Sequence, residues 1–130
     1  MPATRVVFYR ELDGSVPVLD WLKGVARRDP RAYAKCLVRI RRLEQLGHEL
    51  RRPEADYVRD DIWELRIRWG TVNYRILYFY SGGTVCVLSH AMTKREKLLE
   101  RDIERAAARK TLYEAAPEAH HHEQRIPDHG

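Results

Sequence analysis

Arg66, Arg75 and His90 are the residues of this chain whose types and spacing could act together on a negatively charged group. They lie on three strand-like segments that are separated by two turn signals, Gly70-Thr71 and Gly82-Gly83. If both loops are two-residue turns, position 66 faces position 75, and position 75 faces position 90. Directly paired residues have Cβ atoms about 5 Å apart. Two guanidinium groups and an imidazole are therefore predicted to converge in one row.

Arg68 and Asn73 are predicted to lie in the next row of the same surface. Two arginines placed opposite each other repel, and a fold does not need them there, so their convergence favours a binding role. The alternatives are ordinary solvated arginines on a strand and, for His90, a hydrogen-bonded structural histidine. The prediction depends on both turns, because a bulge would slip the pairing and move a strand's side chains to the opposite face.

The strands themselves are predicted from hydrophobic alternation. Apolar residues alternate with charged ones from Ile62 to Trp69, which indicates a strand with one face in the core. Glu64, on the charged face, is expected to form a salt bridge with a neighbouring arginine. Residues 72–80 and 84–92 are rich in β-branched and aromatic residues and predict two further strands. By the same alternation, Tyr78 and Tyr80 belong to the core face.

Three helices and a first strand are predicted around these strands. Ser15 is the predicted cap of a helix that runs to about residue 28, and Asp29-Pro30 starts a second helix that ends near residue 46. Two helices joined so closely are expected to form an antiparallel hairpin on the apolar face of the sheet. Thr93 and Glu96 have the spacing of a capping box for a third helix over residues 94–113.

The element order predicts an α+β fold. A short strand over Arg5–Arg10 precedes the helices, and residues 48–60 are predicted to form a loop with a short extended piece at residues 56–58. The order β-α-α-β-β-β-α then gives a mostly antiparallel four-stranded sheet with a helical hairpin and a C-terminal helix. A chain of 130 residues fits one domain, here residues 1–113.

Residues 114–130 differ from the rest of the chain in composition. They carry four acidic residues and one arginine, a net charge of −3, so residues 1–113 carry +8. With Pro117, Pro127 and Gly130 and few apolar residues, they are predicted to form a disordered tail. Contiguous histidines at 120–122 on such a tail cannot all face one ion, so neither a metal site nor a cofactor is expected. The basic body is expected to attract polyanions, nucleic acid above all.

Composition also bears on the compartment. No apolar run approaches the ~20 residues of a membrane helix, and residues 1–9 lack a secretory signal pattern. A cytoplasmic protein without a membrane partner is therefore expected. Cys36 and Cys86 lie in predicted apolar stretches without a second ligand at metal-binding spacing, and both are predicted to be buried thiols.

Nearly the whole predicted domain, from about Val6 to Tyr113, resembles the RelE/HigB superfamily of type II toxin-antitoxin toxins, closest to its phage-derived HigB-like branch. The resemblance is carried by WELRIRWGTVNYRILYFY, by VLSHAMTKREK and by the basic helix ERDIERAAARK. It implies a RelE-like fold and a small RNase that enters the ribosomal A site and cuts mRNA. It also implies a cognate antitoxin as partner, often a protein with a helix-turn-helix domain.

The resemblance assigns roles to basic residues of this chain. The family's phosphate-contacting residues match Arg66, Arg68, Arg75, Lys94 and Arg95. Combined with the predicted row, this gives two sets of expected site residues. The catalytic set is Arg66, Arg75, His90 and Arg95, and the RNA-binding set is Arg68, Asn73, Lys94 and Lys97.

Three positions depart from the family pattern and leave the general acid and base open. Glu64 stands where some relatives have a lysine, no tyrosine matches the final helix near Arg101, and Lys94-Arg95 replaces a Lys-Thr pair. Metal-free RNA cleavage needs a base for the 2′-hydroxyl, positive charge for the phosphorane and an acid for the leaving oxygen. Arginines can supply the charge.

His90 suits either proton-transfer role, and nearby arginines are expected to lower its pKa. Alternatively, the ribosome orients the mRNA and the protein acts mainly through charge. Two functions from other classes stay open. One is a non-catalytic RNA- or ribosome-binding protein on the same fold, and the other is a co-repressor bound to an antitoxin.

Overall fold

The described residues form a six-stranded sheet with helices on both faces. The computed structural model describes residues 4–94 and 97–126. The strands are β1 (Arg5–Tyr9), β2 (Ala55–Arg59), β3 (Ile62–Trp69), β4 (Val72–Ser81), β5 (Val85–Lys94) and β6 (His121–His122). The helices are α1 (Pro17–Arg28), α2 (Pro30–Leu46) and α3 (Glu100–Ala115), with 3₁₀ turns at Gly47–Glu49 and Pro117–Ala119. The predicted α+β class is confirmed, although the predicted four strands are six.

The sheet order is β2-β3-β4-β5-β1-β6, and β1 with β5 is the one parallel pair among the described strands. The hairpin of α1 and α2 packs on one face against β5 and β3, as predicted. That face contains Tyr78 and Tyr80, and burial raises the pKa of both phenols. The single helix α3 packs on the other face against β4 and β5. One helix cannot cover this face, so the outer parts of β3 and β4 stay open.

The start of α2 follows its predicted cap, whereas the start of α1 does not. Asp29 Oδ1 accepts hydrogen bonds from the backbone N–H groups of Arg31 and Ala32, at 3.1 and 3.2 Å. The predicted cap Ser15 instead donates its own N–H to Asp13 Oδ1 at 2.9 Å. Val16 therefore takes the N-cap position, without a side-chain hydrogen bond, and α1 begins at Pro17.

The predicted start of α3 at residue 94 is wrong. Strand β5 continues to Lys94, because β4 offers pairing partners as far as Asn73. Thr93 is therefore part of a strand and caps no helix, and Glu96 lies outside the described residues. Leu99 is the exposed N-cap residue of α3, whereas Ile103, one turn into the helix, is buried.

The predicted disorder of the C-terminal segment is wrong for residues 116–126. Strand β6 pairs with β1, and the buried ring of His120 stacks on Tyr9 with ring centroids 5.0 Å apart. Ile126 is buried against α1 and α2. The prediction considered only the segment's own apolar content. The rest of the chain supplies the contacts that order this segment, namely the free edge of β1 and an apolar groove beside α1 and α2. Residues 127–130 lie outside the described part.

Two smaller predictions concern burial and membranes. Cys36 and Cys86 are free and buried, as predicted, and burial raises the pKa of the Cys36 thiol to about 12. Among the described residues, none of the helices has the length and hydrophobicity to cross a membrane.

Candidate functional site

The first hairpin brings Arg66 and Arg75 face to face, as predicted. Trp69 pairs with Val72, so the turn at Gly70-Thr71 has two residues. The resulting register places Arg66 opposite Arg75. In the next row, Arg68 lies opposite Asn73. All four side chains belong to the sheet face that α3 covers only in part.

The second hairpin does not bring His90 opposite Arg75, so the predicted row is wrong in its third member. Ser81 pairs with Val85, which gives the loop three residues, and a bulge at Ser89 shifts the register once more. Arg75 consequently faces Met92, and His90 faces Leu77. Each of these two changes shifts β5 by one residue relative to β4. His90 therefore lies on the predicted face of the sheet, but beside Leu77, two residues along β4 from Arg75.

His90 is enclosed beneath α3, with only 6% of its surface exposed. Its Nδ1 lies 2.9 Å from Ser89 Oγ, and its Nε2 lies 3.6 Å from Asp102 Oδ1. Burial lowers the pKa of His90, the charge of Arg109 lowers it further, and Asp102 opposes this only in part. The expected direction of the shift is therefore correct, but its main cause is burial rather than the two facing arginines.

Arg66 is held in place by carboxylates. Glu64, which is only 4% exposed, accepts a hydrogen bond from Arg66 Nε, which confirms the salt bridge predicted for Glu64. Asp56 Oδ2 lies 3.5 Å from the same guanidinium and 2.9 Å from that of Arg52. The hydrogen bond from Arg52, followed by the charges of Arg52 and Arg66, lowers the pKa of Asp56. Arg66 is thus fixed, with much of its charge compensated.

Arg75 differs from Arg66 in having no carboxylate partner among the described residues. Lys97 likewise has none in that part of the chain. The exposed Arg68 uses its Nε to donate to the Gly70 carbonyl at 3.3 Å. The positive charge of these three side chains is therefore available to an external anion.

Two grooves meet at the arginine pair. The smaller groove, of about 370 Å³, lies between the sheet and the start of α3, and Lys97 and Asp56 line it. The larger groove, of about 480 Å³, lies between α2 and the ends of β3 and β4, and Lys35 lines it. Arg66 and Arg75 line both grooves, so an extended anion that follows them passes the pair.

The remaining expected site residues lie around this junction or outside the described residues. Lys94 ends β5, where its backbone lies opposite Asn73. Arg95 lies outside the described part of the chain. Sequence reasoning did not identify Lys35 or Asp56 as site residues, since they come from α2 and β2. Only their tertiary contacts bring them beside β3, and the local pattern of those segments gives no sign of it.

The groups at the junction can bind an anion and exchange protons. The facing arginines supply donors whose geometry suits phosphate oxygens. Asp56, which is partly exposed, lines the smaller groove together with both arginines and can accept a proton, whereas Glu64 in the same wall is almost fully buried. Within residues 4–94 and 97–126, no group of three or more His, Cys, Asp or Glu residues is placed to hold a metal ion.

Comparison with known proteins identifies a family. No curated protein sequence matches the chain. A family model described as phage-derived protein Gp49-like (DUF891) matches residues 20–111, which include most of α1, all of α2, strands β2 to β5 and both facing arginines. This family is associated with RelE/HigB-like toxins. Because the match covers more than half of the 130 residues, the chain belongs to the family of phage-derived Gp49-like proteins.

Proposed function

We propose that this protein is the toxin of a type II toxin-antitoxin pair, and that it is a ribosome-dependent, metal-independent endoribonuclease that cuts mRNA and inhibits translation. The observation that carries the proposal is the pair Arg66 and Arg75 at the junction of two open grooves. Membership of the Gp49-like family and the resemblance to the HigB-like branch of RelE toxins support it. A cognate antitoxin, the ribosome and mRNA are the proposed partners, in the cytoplasm.

The two arginines have different proposed roles. Arg75 has no carboxylate partner among the described residues, and it supplies positive charge to the phosphorane. Arg66, oriented by Glu64, holds a second phosphate oxygen. Loss of one preorganised donor of this kind typically lowers a rate by ~10²–10³-fold. Arg95 is proposed as a further catalytic cation, and the RNA-binding residues are Arg68, Asn73, Lys94 and Lys97.

Proton transfer is assigned differently from the expectation for His90. A histidine that is 6% exposed beneath α3 cannot reach a substrate in this conformation. Asp56 lines the smaller groove beside the arginine pair with a side chain that is 22% exposed, so it is the carboxylate placed to exchange a proton with RNA, whereas Glu64 is as enclosed as His90. In the alternative route, the ribosome orients the mRNA and the arginines act through charge alone.

The test is to map mRNA ends after expression of the wild-type protein and of Arg75→Ala. The wild type is expected to arrest growth and to create new mRNA ends, detected by primer extension, and Arg75→Ala is expected to lower their abundance by ~10²-fold or more. Lys23→Ala, which removes an equal charge from an exposed position of α1, is the matched control and keeps full activity. Equal cleavage by wild type and Arg75→Ala would contradict the proposal.

The enclosed position of His90 also favours a second candidate function, a non-catalytic RNA- or ribosome-binding protein on the same fold. The free charges of Arg75, Arg68 and Lys97 would then dock the protein without cutting. This candidate predicts salt-sensitive ribosome binding while the message stays intact. The same mRNA-end mapping distinguishes the two functions. A third role, as an antitoxin co-repressor, predicts neither new mRNA ends nor ribosome binding.

A further inference from the structure

We infer that the protein holds a single-stranded RNA on both sides of the arginine pair, and that Lys35 of α2 is a phosphate-binding residue on one of those sides. The inference rests on RNA being the substrate in the proposed function. It does not rest on cleavage. It adds a second element, α2, to a binding surface otherwise built from strands.

The larger groove exists because β2 stops half-way along β3. Paired residues of the two strands end at Ala55 and Leu65, and the Arg66 N–H still donates to the Glu54 carbonyl at 2.8 Å. From Ile67 onward this edge of β3 has no neighbour in the described sheet. Helix α2 lies beside the open edge. Arg39 of α2 donates a hydrogen bond to the Arg66 carbonyl. The groove is therefore fixed relative to the arginine pair.

The basic residues in and beside this groove are of two kinds, those paired with a carboxylate and those without such a partner. Arg39 Nε lies 3.3 Å from Glu54, and Arg42 shares the same carboxylate, with one hydrogen bond of 2.9 Å. Lys35 lies one turn before Arg39 on α2 and lines the groove. Among the described residues it has no carboxylate partner. Lys35 and Arg68 are thus the cations that this end of the surface offers to a phosphate.

The other end has a matching arrangement. Lys97 lines the smaller groove and has no carboxylate partner within the described part of the chain. Asp56 in that groove is already paired with Arg52 and Arg66, so its charge repels an incoming strand only weakly. Free cations on both sides of the arginine pair fit the interior of an RNA strand better than its end. The inferred ligand is therefore an interior stretch of single-stranded RNA, whether or not it is cut.

Binding of an uncleavable oligonucleotide tests the inference directly. The probe is a fluorescent 2′-O-methyl RNA, titrated with full-length protein and followed by anisotropy at several salt concentrations. Each phosphate neutralised on a single strand contributes about −0.7 to the slope of log K against log salt. Lys35→Ala is expected to reduce the magnitude of the slope by about that amount. Lys23→Ala, on α1 and beside a different groove, is the matched control and leaves the slope unchanged.

The outcomes separate this inference from the proposed function. Equal slopes for Lys35→Ala, Lys23→Ala and the wild type would overturn the inference, whether or not mRNA is cut. A Lys35 effect without new mRNA ends would support the inference and contradict the nuclease. Thermal melting of Lys35→Ala checks the fold, and a wild-type melting temperature is expected because Lys35 makes no ion pair among the described residues.

Discussion

At the scale of single residues, the two facing arginines differ: one is held in a fixed orientation, and the other keeps its positive charge uncompensated. Glu64 is almost fully buried and orients Arg66, while Arg75 opposite has no carboxylate partner among the described residues. A carboxylate that binds a guanidinium fixes its orientation but cancels part of its positive charge. A guanidinium without such a partner keeps its full charge for a ligand. A pair that contains one of each can both orient a phosphate and stabilise added negative charge on it.

His90 makes the stability of the fold depend on pH. Because its pKa is lowered in the folded state, the unfolded chain takes up the proton first as the pH falls below about 6.5. The groups that face His90 are Ser89, Asp102, Arg105 and Arg109, and the positive charges of the two arginines oppose protonation of the imidazole. The free energy of unfolding is therefore expected to fall with decreasing pH, by at most about 1.4 kcal/mol per pH unit for one proton.

Urea denaturation at a series of pH values measures this dependence. The stability contributed by the neutral imidazole is fully present above pH ~6.5 and is lost as the pH falls toward the lowered pKa of the folded state. His90→Gln keeps a polar side chain at the position and is expected to flatten the curve between pH 5 and about 7. An unchanged slope in His90→Gln would show that another group causes it.

At the scale of elements, the helices and strands that were predicted correctly are those marked by neighbouring residues in the sequence. Asp29 and Pro30 start α2, and the alternation in β3 together with a two-residue turn gives the Arg66–Arg75 pairing. The bulge at Ser89 has no local signature. At the bulge, the Ser89 carbonyl accepts a hydrogen bond of 2.9 Å from Arg109 of α3, a residue twenty positions later in the chain. Pattern reasoning misses such a contact, so the bulge and the three-residue loop after Ser81 together displaced His90 from its predicted position.

The C-terminal segment is an element that tertiary contacts create. Ile126 is 5% exposed against α1 and α2, so Ile126→Ala is expected to lower the free energy of unfolding by about 1–2 kcal/mol. This is below the ~2–5 kcal/mol typical of Ile→Ala truncations in a core, since the segment around Ile126 can relax or fray. Chemical denaturation measures the change. Leu112→Ala, at a side chain that is 49% exposed, is the control and should stay within about 0.5 kcal/mol. Equal effects of both variants would show that Ile126 is not anchored in solution.

At the scale of the whole molecule, the charge is separated across the sheet. Residues 114–130 carry −3 and residues 1–113 carry +8. Part of the acidic segment follows β6, at the sheet edge opposite β2, where Glu123 pairs with Arg5. The grooves lie toward the β2 edge, so Glu123 leaves their positive field intact. Composition predicted a basic body. It could not predict on which edge the compensating acids would lie, because that depends on the pairing of β6 with β1.

The direct pairing of Arg66 with Arg75 implies a conflict between folding and function. Like charges directly opposite each other on a sheet are destabilising, so the empty protein is less stable than its fold allows. Arg75→Met is expected to raise the free energy of unfolding by a few tenths to about 1 kcal/mol, while it lowers the mRNA cleavage proposed for this site by ~10²-fold or more. Thermal melting with and without a polyanion measures both sides of this conflict. The polyanion should raise the melting temperature of the wild type by more than that of the variant, which keeps the other cations of both grooves. A less stable Arg75→Met would mean that the aliphatic stem of Arg75, and not its charge, matters to the fold.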